Sequence, residues 1–192
     1  MKKIVILSLM LTGIVIVTKA QDIPPKEWQI KTALLAVPSD FKEGAKVYGY
    51  DESGNFVTLR EGSNVYIALA HDPKKQKFST AAYHKSLDTF MARGRELRAQ
   101  GKTGKEIFDI REEEVKAGKL KMPDKATLCV FTGDVNPETK EIENQFVRYV
   151  FYIPFATGAS TGLPTTPTPP GHAWIMDPGT HRAHIMITPP RN

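Results

Sequence analysis

Histidine has the widest chemical range of the side chains in this sequence, because its ring titrates near neutral pH and binds metals. Three of the five histidines, His172, His181 and His184, fall within 13 residues near the C-terminus. A three-residue separation puts His181 and His184 on opposite faces of a strand, and the sequence has no HExxH or Cys–His zinc pattern. We therefore predict packed histidines, no metal site and no cofactor. A metal-dependent enzyme that uses the C-terminal histidine cluster is kept as an alternative.

A serine between two glycines, in Gly158-Ala159-Ser160-Thr161-Gly162, has the letters of a nucleophile elbow. Ser160 would be the nucleophile and His184 the base. A nucleophile elbow lies between a strand and a helix, but a proline-rich stretch begins at once with Leu163-Pro164. A long helix cannot continue through such a stretch. A hydrolase is therefore an alternative function and not the predicted one.

Arginines are the other candidate binding groups, because the guanidinium fork matches carboxylates and phosphates. Arg93, Arg95 and Arg98 lie close together on one predicted helix, and Arg182 lies next to the C-terminal histidines. Glu96 falls among the first three, so a solvated helix face of mixed charge is the alternative interpretation.

The C-terminal segment predicts two short strands around a Pro-Gly turn. If Pro178 and Gly179 alone form the turn, Met176 lies opposite His181. The alternation of side chains along a strand then turns three polar residues of the two strands to one face, opposite the face predicted to be the core. A slip of one residue would reverse these faces, and Pro-Gly does not suit the turns of tight hairpins.

This register predicts a candidate ligand-binding site in which Asp177, Arg182 and His184 share a face and Asp177 orients its neighbours. Two basic residues from the middle of the chain complete the prediction. The full predicted set is His84, Arg93, Asp177, Arg182 and His184.

The elements that must position these residues follow from apolar periodicity and turn residues. Helices are predicted at 25–36, 82–100 and 105–117, the last two forming an αα-hairpin with a capping box at Thr103 and Glu106. Strands are predicted at 46–50, 55–60, 65–70, 126–131 and 145–153, and a long proline-rich loop at 156–171. Cys129 lies in an apolar strand, which predicts a buried thiol. The fold class is therefore α+β: a single domain whose antiparallel or mixed sheet packs against an N-terminal helix and the αα-hairpin.

The first twenty residues have the pattern of a secretory signal peptide. Lys2 and Lys3 precede 15 residues without charge, and Thr18-Lys19-Ala20 supplies small residues for a cut after Ala20. An uncleaved membrane anchor is the alternative. Three of the 26 lysines and arginines lie in this segment and no acid does, so removal lowers the net charge from +5 to +2. We predict a signal peptide at 1–20, a domain at 21–192, a periplasmic or secreted location, membrane contact only during export, and no nucleic-acid partner.

Three segments resemble uncharacterised exported bacterial proteins. They are Tyr83-His84-Lys85-Ser86-Leu87, the segment 90–97 and the segment 179–187. The resemblance covers most of the mature chain and implies export and a single domain. That family has no assigned activity, so the resemblance supplies no catalytic residue.

The sequence therefore leaves the reaction and the ligand unknown, and it leaves open whether the protein is an enzyme. A non-enzymatic domain that binds a small ligand or a partner protein is the leading prediction. An enzyme would bring its acid–base groups together in one open pocket, whereas a binding domain needs only a groove with arginine and aromatic residues.

Overall fold

Eight extended segments rich in apolar residues build one mixed sheet, which the computed structural model describes together with its helices over residues 23–190. The strand order is β2-β1-β3-β4-β5-β6-β8-β7. All neighbours are antiparallel except β1 and β3. The strands are β1 (Lys46–Tyr50), β2 (Phe56–Arg60), β3 (Tyr66–Leu69), β4 (Phe78–His84), β5 (Ala126–Val135), β6 (Ile142–Tyr152), β7 (Ala173–Met176) and β8 (His184–Ile187). The predicted α+β class and single domain are confirmed for this part of the chain.

One face of the sheet, the α1 face, is covered by helix α1 (Lys26–Ala33) and the short 3-10 helix Leu34–Ala36. Pro25 sets the start of α1, where its missing N–H costs nothing. Apolar side chains, most of them small or branched, fill the space between helix and sheet, including Ala33, Val47, Ala68, Ala82 and Phe131. The predicted N-terminal helix and β1–β2 hairpin are confirmed.

The opposite face, the hairpin face, is covered by α2 (Asp88–Ala99) and α3 (Gly104–Lys116). Phe90 and Leu97 of α2 are buried, and Tyr83 and Val150 of the sheet lie in the same layer of the core. The αα-hairpin turns at Gly101, whose φ of 80° favours glycine. Thr103 and Glu106 form the predicted capping box at the start of α3.

The predicted helix at 82–100 is wrong in its first residues, because Phe78–His84 is strand β4. This strand lies between β3 and β5, and helices cover both of its faces. Both sets of alternate side chains are therefore apolar or small, and the period-2 signal of a half-exposed strand is lost. The helical stripe is real only from Asp88 onward.

The predicted register of the C-terminal ribbon is also wrong. Met176 lies opposite His184, not His181, so residues 177–183 form a seven-residue loop. Asp177, the residue that follows β7, has a φ of 51°, which a residue paired in a strand does not have. Three backbone hydrogen bonds join the loop to the segment after β6: Phe155 N–H to Thr180 C=O (2.7 Å), Gly179 N–H to Ala156 C=O (2.7 Å) and Ile153 N–H to Ala183 C=O (2.9 Å).

The predicted loop at 156–171 contains one turn of helix, α4 (Gly158–Thr161), before the prolines begin. The chain then runs beside β7, where Ile175 N–H donates a hydrogen bond to Pro164 C=O (2.9 Å). This contact covers one edge of the sheet.

No helix among residues 23–190 is long and apolar enough to cross a membrane. The signal peptide predicted at 1–20 and the start of the domain at residue 21 lie outside the described residues.

Candidate functional site

A groove of about 550 Å³ lies on the hairpin face of the sheet, where β1 ends and β2 begins, beneath the second half of α2. Its defining residues come from the β1–β2 hairpin, the loop after β3 and helix α2. We call it the aromatic–arginine groove, and it is defined by Tyr50, Phe56, Asp72, Lys74, Arg95 and Arg98.

Aromatic rings form one side of the groove because alternate residues of paired strands face the same way. Tyr50 lies opposite Phe56 and Tyr48 lies opposite Thr58 in the β1–β2 register. The Phe56 ring centre lies 5.3 Å from that of Tyr48 and 5.5 Å from that of Tyr50. Phe56 keeps 37% of its surface exposed, so part of this aromatic side is open to a ligand.

Arg95 joins the aromatic side to the core. Its guanidinium carbon lies 5.1 Å from the Phe56 ring centre and 5.5 Å from that of Tyr48, which is cation–π distance. The same guanidinium contacts Asp88 at 3.4 Å and donates to the Tyr83 hydroxyl at 3.3 Å. Asp88 therefore neutralises this cation, and Arg95 acts mainly as a fixed wall of the groove.

Arg98 and Lys74 are the cations of the groove that carry no such partner. Neither side chain forms a hydrogen bond or an ion pair with another residue in the described part of the chain. The neighbouring acids are both engaged: Asp72 accepts a hydrogen bond from the Lys74 backbone N–H (3.0 Å), and Glu96 pairs with Arg93 (2.9 Å). Two cations are thus available to an anionic group of a ligand.

The Tyr50 hydroxyl lies within the field of these charges. Burial raises the pKa of Tyr50 to about 12, Asp72 adds to the increase, and Arg95 and Arg98 oppose it. Tyr50 is therefore a neutral hydrogen-bonding group at physiological pH. Its position gives a ligand a polar contact between the aromatic side and the free cations.

The predicted C-terminal residues lie together, but without a free cation. Arg182 donates to the Asp177 carboxylate from Nε and Nη2, both at 2.8 Å, and lies 5.1 Å from the Phe108 ring centre. His184 is only 7% exposed, and its Nδ1 contacts the Arg182 backbone oxygen at 2.6 Å. Asp177 and Arg182 are in contact, as the sequence predicted, although both residues lie in the 177–183 loop and not on strands.

His84 and Arg93 lie apart from that group. His84 shares the α1 face with Phe151 and Ile185, whereas His184, the residue before Ile185, points to the hairpin face. Arg93 is bound through Nε to both carboxylate oxygens of Glu114, each at 3.0 Å. The five predicted site residues therefore form no single patch, and their ligand-binding role stays a prediction.

A histidine–glutamate pair that the sequence did not predict lies under the 177–183 loop. Glu112 contacts Nδ1 of His181 and accepts a hydrogen bond from its backbone N–H (2.8 Å). Burial raises the pKa of Glu112, but the bonds from Lys116 and His181 outweigh it and lower the pKa to about 2. This resembles a base and its orienting carboxylate. However, His181 is 0% exposed between the Phe90 and Phe108 rings, so it contacts no solvent.

The hydroxyl group of Ser160, the serine of the elbow-like motif, is engaged in local hydrogen bonds. Ser160 Oγ accepts a hydrogen bond from Thr157 N–H (2.9 Å) and donates to Thr157 C=O (3.1 Å), closing the turn of α4. Among residues 23–190 there is no group of three or more His, Cys, Asp or Glu side chains that could hold a metal ion. Neither observation favours the enzymatic alternative.

None of the groove residues is in the predicted site, although two features of the sequence could have indicated them. Arg95 and Arg98, three residues apart, lie on one side of a helix, and Tyr48, Tyr50 and Phe56 alternate along a predicted hairpin. Which arginine stays free could not be predicted, because that depends on Glu114 and Asp88 coming close in the fold. Comparison with protein-family models, curated proteins and solved structures found no match.

Proposed function

We propose that this protein is a non-enzymatic binding protein whose aromatic–arginine groove takes a small ligand with a carboxylate next to a flat apolar group. The observation that carries the proposal is the pairing of two free cations, Lys74 and Arg98, with the exposed Phe56 ring in one groove. Arginine forks suit carboxylates, and exposed aromatic rings offer apolar contact area.

The charges near the groove favour a single negative charge on the ligand. The charged side chains that line the groove are three cations and two acids: Lys74, Arg95 and Arg98 against Asp72 and Glu96. This residual charge of about one positive unit matches a monoanion better than a dianion. The Tyr50 hydroxyl adds a neutral hydrogen bond beside the anion.

The experiment is a titration with benzoate, followed by protein-detected NMR, with acetate and benzyl alcohol as partial ligands. A probe of this size binds an open groove with a Kd of roughly millimolar. Benzoate is expected to bind more tightly than either partial ligand, because only benzoate carries both the ring and the charge.

Two variants test whether benzoate binds in the aromatic–arginine groove. Arg98→Gln is expected to weaken benzoate roughly fivefold, since an exposed charge-assisted hydrogen bond is lost. Arg148→Gln removes another exposed arginine, which lies on β6 outside the groove, and is expected to leave the affinity unchanged. Equal affinity of both variants for benzoate would overturn the proposal.

We also propose that binding takes place outside the cytoplasm, after a signal peptide has been removed by cleavage between Ala20 and Gln21. The support is the charge and hydropathy pattern of the first twenty residues. Mass spectrometry of the protein from a bacterial host is expected to show a chain that begins at Gln21. A full-length chain held in the membrane fraction would support the anchor instead.

A further inference from the structure

The two edges of the sheet differ in how they are protected. At the β7 edge, the backbone N–H of Ile175 is bonded to Pro164. At the other edge, β2 pairs only with β1, and within residues 23–190 no backbone hydrogen bond reaches its outer side. An uncovered edge presents N–H and C=O groups that can pair with another extended chain.

The outward groups of β2 can be assigned from its register. Asp51 N–H donates to Asn55 C=O (3.0 Å), and bonded and non-bonded pairs alternate along antiparallel strands. The backbone groups of Phe56 and Thr58 therefore point away from β1. Phe56, Val57, Thr58 and Leu59 are uncharged, and the only charged residue, Arg60, binds the Ala45 carbonyl (3.0 Å). Proline and lysine, which commonly block pairing at an edge, are absent from β2.

The free edge and the groove are adjacent. The side chains of Phe56 and Thr58 lie on the hairpin face, where the groove opens. A strand added beside β2 would lie about 4.8 Å away and turn every second side chain to that same face. An acidic side chain at such a position comes next to Phe56 and toward the free cations Arg98 and Lys74.

From this placement we propose that the natural ligand is an extended peptide that adds to the β2 edge and inserts an acidic side chain into the groove. The inference rests on the proposed function, since the peptide supplies the carboxylate that the groove binds. β2 is five residues long, so it pairs with a peptide of about five residues. Backbone hydrogen bonds would provide affinity, and the acidic position would provide selectivity.

The test uses the peptide Thr-Val-Glu-Val-Thr, acetylated and amidated at its ends, and two N-methylated forms. One form is methylated at the first, third and fifth amides and the other at the second and fourth. Only one of these sets faces β2 when the peptide pairs with the edge. We expect one form to bind roughly tenfold more weakly than the unmethylated peptide and the other to bind equally well. Replacing Glu by Gln in the peptide is expected to weaken binding severalfold.

The protein-side variant is Thr58→Pro, which removes an outward N–H that β1 does not use, at an edge position that tolerates proline. It is expected to weaken the peptide roughly tenfold and to leave benzoate binding unchanged. Where this variant does not fold, the methylated peptides give the same information. If both methylated forms bind as well as the parent, or if the parent does not bind while benzoate does, the edge inference is wrong and the groove proposal stands. If neither benzoate nor the peptide binds, both are wrong.

Discussion

At the scale of single residues, His181 couples the stability of the fold to pH. Burial lowers its pKa, and the bond to Glu112 opposes this only in part. The other ring nitrogen, Nε2, is buried without a partner, so protonation there would leave a charged N–H unsatisfied. The unfolded chain therefore binds a proton near pH 6.5 that the folded protein does not. The contribution of His181 to the free energy of unfolding is therefore present above about pH 6.5 and is lost as the pH falls below that value.

Urea unfolding at pH 7.5 and pH 5.5 measures this dependence. The wild-type protein is expected to lose stability at the lower pH. His181→Phe keeps the ring packing against Phe90 and Phe108 but loses the bond to Glu112, so it is expected to be about 1–2 kcal/mol less stable at pH 7.5. Its pH dependence is expected to be smaller, with the rest supplied by His71 and His184, whose pKa values burial also lowers. His172→Phe, at an exposed position, is the control. If His181→Phe lost as much stability between pH 7.5 and pH 5.5 as the wild-type protein, this account would be contradicted.

At the scale of elements, helix α3 depends on its N-terminal cap. Thr103 Oγ1 accepts a hydrogen bond from Glu106 N–H (3.3 Å), and Glu106 accepts one from Thr103 N–H (2.8 Å). Thr103→Ala is expected to lower the free energy of unfolding by about 1 kcal/mol. Thr89→Ala, at an exposed position in the first turn of α2, is expected to be neutral or slightly stabilising. Chemical denaturation of both variants tests the cap, and equal stability of the two would argue against it.

The β5–β6 pair depends on a glycine at its irregular register. A Cβ at Gly133 would lie 2.6 Å from the Glu143 carbonyl oxygen and 2.5 Å from Ile142, so the backbone would have to shift. Gly133→Ala is expected to destabilise the protein by about 1–3 kcal/mol. Gly104→Ala, which meets nothing within 4 Å at the start of α3, is expected to stabilise it by up to about 1 kcal/mol. Thermal unfolding that moved both variants in the same direction would contradict this assignment.

The elements that sequence patterns predicted are those with local signals. Helix α3 has a capping box and a terminal glycine, and the β1–β2 hairpin has a turn that ends in Gly54. Strand β4 could not be predicted, because both of its faces are buried and neither period is clear. The C-terminal register could not be predicted either, because the 177–183 loop is fixed by distant contacts with Ala156 and Glu112.

At the scale of the whole molecule, Cys129 reports on cooperative unfolding. It lies on β5, an interior strand, with 8% of its surface exposed, and burial raises the pKa of its thiol. Reaction with a thiol reagent is therefore expected to be slow in native buffer and to follow global unfolding as urea is added. Fast labelling in native buffer, at a rate near that of the unfolded chain, would show that the centre of the sheet opens locally.

The architecture was easier to predict than the site for a physical reason. Fold class follows from the number and type of amphipathic elements, which the sequence displays directly. The site depends on which charges remain unpaired after packing, and the partners of Arg93 and Arg182 lie in other elements or in an unpredicted loop. Arg98, with no such partner among the described residues, is left facing the groove.

The most direct test of the central claim is a map of NMR shift changes on adding benzoate to the wild-type protein. The account predicts that the largest changes cluster at Tyr50, Phe56, the 72–74 segment and Arg98, and that in Arg98→Gln the same changes need roughly fivefold more benzoate. Changes centred on Asp177, Arg182 and His184, or none at all at high millimolar benzoate, would contradict it.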